Sequence, residues 1–192
     1  MTLHLDWRVH FDKIVLPTVK EYFLSERELS AACSGQHPDL DHFRFEALRR
    51  AGAASFYLHH FSDVVANEWP EFLPSPGEYD RLKKVRDFVS ERCFYSRSEE
   101  PSNDVHLLGE VADALKHSVL TRRTAKREIL GKDQVLIVGR GFGTLRHGEG
   151  KYGGVEEVFI QGRSGTRAFS NVLHNVLDAW CRAANFELLE KG

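Results

Sequence analysis

Long apolar runs are missing from this chain of 192 residues. A membrane-spanning helix needs about 20 consecutive apolar residues, and no stretch approaches that length, so the sequence predicts no membrane partner. Cysteine is scarce as well, because Cys33, Cys93 and Cys181 are widely separated and form no C-x-x-C pair. This usage favours free thiols in a reducing compartment over a disulfide framework. We therefore expect a cytoplasmic protein.

The motifs of the commonest enzyme classes are also missing. The segment 139–143 alternates glycine with other residues, but no helix follows it to hold a pyrophosphate. Gly150 and Lys151 lack the earlier glycine and the following Ser or Thr of a nucleotide-triphosphate loop. There is no H-E-x-x-H, no G-x-S-x-G and no pair of E-x-x-H motifs. The chemistry must therefore be sought outside these classes.

The composition is that of one globular domain over residues 1–192, with 42% hydrophobic and 28% charged residues. The net charge of −2 hides a basic segment. Residues 115–151 contain nine Lys and Arg against three Asp and Glu, a net charge of +6. Such a segment suits a phosphate-rich partner, or it neutralises the acidic first half of the molecule.

Apolar residues recur at helical spacing over most of the chain. This period predicts a mainly α bundle of five or six helices, at about 5–16, 17–30, 39–67, 78–95, 103–123 and 170–189. Pro17 is expected to open the second helix, and Asp39 and Ser170 are expected to cap later ones. The residues at about 134–169, rich in β-branched side chains and glycine, predict a small antiparallel hairpin or meander inserted before the last helix.

Two candidate groups of ionisable residues lie on separate predicted helices. His60 is one turn before Asp63, and His106, Glu110, Asp113 and His117 form a row opposite the apolar face of the helix at 103–123. We expect these helices to pack side by side, with the rings of His60 and His117 facing each other across a groove. Asp63 and Asp113 would then orient the two imidazoles. A solvated helix face or ordinary packing histidines would show the same pattern.

Two short strings resemble motifs in a group of uncharacterised bacterial helical proteins. These are His60-Phe61-Ser62-Asp63 and Ala112 to Thr121, which match an H-F-x-D helix and an A-x-K-H helix followed by glycine-rich strands. The resemblance covers most of the chain from Phe43 onward. It implies the residues of a site and no particular reaction.

A fainter likeness is to HEPN domains, helical bundles that include RNases of toxin and phage-defence systems. Their site is an Arg followed by a His after four to six intervening residues. Arg167 and His174 have this spacing here. The resemblance implies a protein that acts on RNA.

Three interpretations remain open, and they leave open whether the chain is an enzyme. In the first, a HEPN-like protein without a cofactor binds or cleaves RNA, a nucleotide or another phosphate-rich partner. His60, His117, Lys116 and Asp63 would be catalytic, because two histidines serve as an acid and base near neutrality. Arg122 and Arg123 would bind the substrate.

In the second interpretation, a divalent transition metal is held by Asp113 and Glu110 together with His60 and His117, whose N and O atoms suit Zn, Fe or Mn. The third is a non-catalytic interaction module, with a homodimer joined through Trp7, Trp69 or Trp180. The first predicts salt-sensitive binding, the second a stoichiometric metal, and the third indifference to loss of His117.

Overall fold

The computed structural model describes residues 6–75, 80–95, 98–117, 127–139, 151 and 155–185. Within these ranges the helices are α1 (Trp7–His10), α2 (Leu16–Ser34), α3 (Leu40–Glu68), α4 (Arg81–Ser90), α5 (Asp104–His117) and α6 (Phe169–Ala184). The strands are β1 (Val135–Gly139), β2 (Glu156–Gly162) and β3 (Gly165–Ala168). A mainly α bundle with a small sheet before its last helix is therefore confirmed.

The helix break expected at Pro17 is wrong. A π-helical turn, Phe11–Val15, joins α1 to α2, and Leu16 and its neighbours keep right-handed helical backbone. A π turn is wider than an α turn, and this one lies directly before the proline, whose ring would otherwise meet the carbonyl of the preceding turn. The first two predicted helices are thus one continuous rod.

Capping residues mark the ends of the central helices. Asp39 accepts a hydrogen bond from the backbone N–H of His42 at 3.3 Å and begins α3, and Asp80 does the same for α4 through Lys83 at 3.1 Å. α3 ends where Trp69 takes a left-handed conformation before Pro70. α3 thus matches its predicted bounds, whereas α4 is shorter than predicted.

The three strands form an antiparallel sheet in the order β1, β2, β3. Val135 pairs with Ile160, and Ile160 pairs with Arg167 on the other side. Ser170 does not cap the last helix as predicted, because α6 begins at Phe169 with Ala168 in the capping position and no capping side chain. Asn185 adopts a left-handed conformation and ends α6 earlier than predicted.

Buried polar contacts connect the sheet to α2. The Glu26 carboxylate, 3% exposed, accepts hydrogen bonds from the Tyr22 hydroxyl at 2.7 Å, the Val158 amide at 2.9 Å and the Lys151 ammonium at 2.6 Å. Burial and the neighbouring carboxylate raise the pKa of Tyr22 well above its usual value, so the phenol keeps its proton. These contacts hold β2 against α2.

Two of the three tryptophans and two of the three cysteines lie inside. Trp7 and Trp180 are 8% and 2% exposed and belong to the core, so the prediction of a dimer surface at these two residues is wrong. Cys33, Cys93 and Cys181 are free thiols, and burial raises the pKa of Cys93 and Cys181 to about 11. No helix in the described ranges is long and apolar enough to cross a membrane.

Candidate functional site

A groove with a volume of about 520 Å³ opens between α3 and α5. Its α3 wall consists of Phe45, Leu48, Arg49, Gly52, Ala53 and Phe56, and its α5 wall of Ala112, Leu115 and Lys116. The α3 residues follow one another at steps of 3, 1, 3, 1 and 3, which is a single stripe of one helix. The groove is lined by two cations and, in the described chain, by no carboxylate.

Small residues at the middle of this stripe let the groove form. A Cβ atom on Gly52 would lie 3.6 Å from the Leu115 side chain, which is an ordinary contact distance. Ala53 and Ala112 add little bulk on either side. Large side chains at these positions would fill the space between the helices.

Aromatic rings stand at the rim of the groove and beside it. Phe45 is 71% exposed, Phe56 is 38% exposed and Tyr57 is 40% exposed. Large aromatic side chains that are grouped and solvent-exposed on one face of a helix are typical of a surface that binds a ligand or a partner molecule. The groove therefore has the character of a binding site.

The predicted residues His60 and Asp63 lie one turn further along the same stripe. The His60 Nδ1 atom is 2.7 Å from the Asp63 carboxylate, and both side chains are about two-fifths exposed. The His60 ring centroid is 4.5 Å from that of Phe56, and the Lys116 ammonium is 6.0 Å from the centroid of the same Phe56 ring. Phe56 thus lies between a carboxylate-oriented imidazole and a cation.

His59 packs between α3 and α5, next to the dyad formed by His60 and Asp63. Its ring lies on Gly109 of α5, where a Cβ atom would be only 2.5 Å from His59 Cε1. Burial, with the charges of Arg86 and His60, lowers the pKa of His59 to about 4. Its ring centroid is 5.1 Å from that of His60. His59 is therefore an uncharged imidazole that packs between the two helices and also contacts His60.

The contacts of Gly52 and Gly109 define an antiparallel register between α3 and α5. Gly52 lies beside Leu115, and His59 lies beside Gly109. In this register, the residue of α5 that lies level with His60 is about nine positions before His117. His60 and His117 are therefore separated by roughly 13 Å along the helix axis. The expected face-to-face arrangement of these two histidines is therefore not the one found. His117 is exposed at the end of the described part of α5.

The carboxylates of the row on α5 have protein partners. Glu110 accepts hydrogen bonds from the amides of Glu128 and Ile129 at 2.7 and 2.9 Å. Asp113 forms an ion pair with Arg127 at 3.3 Å. This face of α5 therefore anchors the chain at 127–129, and the two predicted metal ligands serve there as hydrogen-bond acceptors.

Over the ranges that the structure describes, no three His, Cys, Asp or Glu side chains are grouped so that they could hold a metal ion. The metal-binding interpretation remains a prediction that elemental analysis of the purified protein tests. Arg122 and Arg123, the predicted substrate-binding residues, lie outside the described residues.

The two residues of the HEPN-like spacing have separate partners. Arg167 forms two hydrogen bonds to the buried carboxylate of Asp104, at 2.8 and 3.1 Å, and its guanidinium lies over the Tyr95 ring. His174 is 3.4 Å from Asp178 on the same helix. Arg167 thus ties β3 to the start of α5.

Sequence reasoning missed Phe45, Arg49 and the small residues at the middle of the groove. The signal was present, because Phe45 and Phe56 are eleven residues apart with Gly52 and Ala53 between them on one stripe. Eleven residues bring a helix back to nearly the same angle, within about 20°. The buried apolar stripe through Ala47 and Leu58 is the more regular pattern, and for that reason the stripe through Phe45 and Phe56 was not recognised in the sequence.

Fold and site together define a mainly α-helical bundle with an aromatic and basic groove on its surface. No family model matches the chain, and neither the curated proteins nor the solved structures searched contain a match.

Proposed function

We propose that the groove between α3 and α5 binds single-stranded RNA, in a cytoplasmic protein. The observation that carries this proposal is the position of Phe56, whose half-exposed ring lies 4.5 Å from His60 and 6.0 Å from the Lys116 ammonium. Proteins that bind single strands combine exposed aromatic rings, on which bases stack, with cations that contact the phosphates. Phe56 and Lys116 supply one of each within a single site.

Charge supports a phosphate-bearing partner. Lys116 and Arg49 are the ionisable residues of the described groove lining. The residues that follow Lys116 in the sequence include Arg122, Arg123 and Lys126, within the segment of net charge +6. Phosphate contacts release bound counterions, which favours association with such a surface.

The dyad gives the site a proton acceptor. With Nδ1 held by Asp63, the His60 ring has one nitrogen left for a ligand. We assign His60 as the base that takes the proton from a 2′-hydroxyl of the bound RNA, whose oxygen then forms a bond to the adjacent phosphorus. The bond from phosphorus to the 5′-oxygen breaks, that oxygen takes a proton from water, and Lys116 lies beside the phosphate. Incubation of labelled RNA with the protein should give cleavage products that the His60→Gln variant does not produce, while the variant retains RNA affinity.

Fluorescence anisotropy with a labelled RNA of about ten nucleotides tests the binding directly. We expect affinity to fall steeply between about 50 and 200 mM salt. Lys116→Ala should reduce the slope of log K against log salt by about 0.7, because one phosphate contact is lost. Phe56→Ala should weaken binding by about 1–3 kcal/mol and leave that slope unchanged, because stacking releases no ions.

Two matched controls lie away from the groove. Lys83→Ala removes an exposed lysine of α4 that pairs with Asp87, and Leu24→Ala removes a side chain of α2 that is 55% exposed. Neither should change the RNA affinity. The proposal would be refuted by an RNA affinity that does not change with salt concentration. It would also be refuted by equal affinities of the Lys116, Phe56 and control variants.

A further inference from the structure

The groove extends beyond Phe56 to a second exposed ring. Phe45 and Phe56 both line it, and they are eleven residues apart on α3. At 1.5 Å per residue their Cα atoms are separated by about 16 Å along the axis, and at 100° per residue they differ by only about 20° around it. The two rings therefore stand at opposite ends of one straight groove.

The α3 side of the groove carries small residues between the two rings. Gly52 and Ala53 provide the middle of the α3 side, and Leu115 lies beside Gly52 on α5. A backbone or sugar can approach closely where side chains are this small. The aromatic rings stand at its two ends, with Leu48 and Arg49 between them on α3.

A cation stands between the rings. Arg49 is one turn after Phe45, lines the groove and has a side chain that is 59% exposed. Its ion pair with Glu46, one turn back on the same helix, is at the surface. Exposed pairs of this kind contribute little stability, so a phosphate can take the place of the Glu46 carboxylate.

We propose that this groove holds a short single-stranded segment of three to six nucleotides, with one base stacked on Phe45 and another on Phe56. Arg49 contacts a phosphate between them, and Lys116 contacts one at the Phe56 end. This inference depends on the proposed function. It adds Phe45 and Arg49 to the site and gives the site a length.

The length follows from the spacing of the rings. A base-stacked strand rises about 3.4 Å per nucleotide, so a separation of about 16 Å corresponds to about five steps and six nucleotides. A strand extended to twice that rise covers the same distance with about three nucleotides. Longer RNA gains no further stacking contact within the groove.

A length series of oligouridines from two to about ten nucleotides tests this footprint by anisotropy. We expect affinity to rise steeply up to a length between three and six nucleotides, and beyond that only in proportion to the number of registers the strand can take. Phe45→Ala should weaken binding of the six-nucleotide RNA by about 5- to 150-fold and move the break in the series to a shorter length. Leu24→Ala is the matched control and should change neither.

The outcomes separate the two proposals. If no oligonucleotide binds, the proposed function fails and the footprint fails with it. If RNA binds through Phe56 and Lys116 but Phe45→Ala has no effect, or two and six nucleotides bind equally, then the footprint alone is refuted. Because Phe45 is 71% exposed, its replacement should leave the fold intact, which thermal unfolding of the variant verifies.

Discussion

Two adjacent histidines of α3 have opposite surroundings. His60 is 38% exposed and hydrogen-bonded to Asp63, whereas His59 is pressed onto Gly109 and lies close to Arg86. Neighbours in a helix point about 100° apart, so one side chain enters the seam between α3 and α5 while the other stays at the rim. Burial without a carboxylate in contact penalises the charged form of His59. The same residue type is therefore packed between helices at one position and hydrogen-bonded at the surface at the next.

The low pKa of His59 predicts a loss of stability in mild acid. In the folded protein this pKa is about 4, below its ordinary value of 6.5, so between these values the unfolded chain binds more protons. The contribution of His59 is complete above pH 6.5 and is lost as the pH falls toward 4. We expect the free energy of unfolding to decrease by up to about 1.4 kcal/mol per pH unit from this residue.

Urea denaturation at several pH values from 7 to 4 checks this expectation. Asp63, Asp113, Arg86 and His60 are the charged and titratable groups around His59, and the wild type and the variant both retain them. The His59→Gln protein should therefore have a shallower pH dependence than the wild type. His106→Gln, which removes an exposed histidine, serves as the control and should not. Equal pH dependence in the wild type and the His59→Gln protein would show the assignment to be incorrect.

At the scale of helices, two glycines set how closely α3 and α5 approach. Gly109 of α5 supports the His59 ring directly, and Gly52 of α3 leaves a normal distance to Leu115. Both glycines are inside helices, where glycine costs up to about 1 kcal/mol relative to alanine. The close approach of the His59 ring explains why position 109 is a glycine. Gly52 lies in the middle of the groove.

Alanine at the two glycines should have opposite effects on stability. Gly109→Ala places a methyl group 2.5 Å from His59 Cε1, so the ring must leave the seam. We expect destabilisation by about 1–3 kcal/mol, as for other overpacked cores. Gly52→Ala adds a methyl at ordinary contact distance, 3.6 Å from Leu115, and should stabilise by about 0.5–1 kcal/mol.

Thermal unfolding of both variants makes the comparison. The double variant His59→Ala with Gly109→Ala should recover the loss caused by overpacking, because the methyl then meets no ring. A Gly109→Ala protein as stable as Gly52→Ala would mean that His59 moves aside without cost, contrary to this account of the seam.

In the whole molecule, buried ion pairs join parts of the chain that are far apart in sequence. Glu26 binds Lys151 across 125 residues, and Asp104 binds Arg167 across 63. The two carboxylates are 3% and 1% exposed. The first pair connects α2 with the residues before β2, and the second connects α5 with β3. The sheet is thus held to the bundle by charge as well as by apolar packing.

Removing one partner of such a pair should destabilise the fold. Among the described residues, Lys151→Met leaves the buried Glu26 carboxylate with the Tyr22 and Val158 donors, and we expect a loss on the order of 2–3 kcal/mol. Lys83→Met, at an exposed pair with Asp87, is the matched control and should cost less than about 1 kcal/mol. Chemical denaturation measures both, and equal losses would contradict the role assigned to Lys151.

Much of the helical architecture was predictable because its causes are local. The apolar period defines α3, α5 and α6, and the Asp39 side chain caps α3 as expected. The local signals at Pro17 and Ser170 were overridden by structure around them. A π turn absorbed the proline, and β3 leads into α6 one residue before the serine.

The candidate site divides in the same way. The sequence by itself determined that His60 and Asp63 share one turn of a helix, and that Glu110 and Asp113 lie opposite the apolar face of α5, because rotation per residue is a property of a single helix. Only the tertiary structure decided that His59 meets Gly109, that His117 lies about 13 Å from the level of His60, and that Phe45 and Phe56 border one groove. The register of two antiparallel helices depends on which side chains fit against each other, and that fit exists only once both helices are packed.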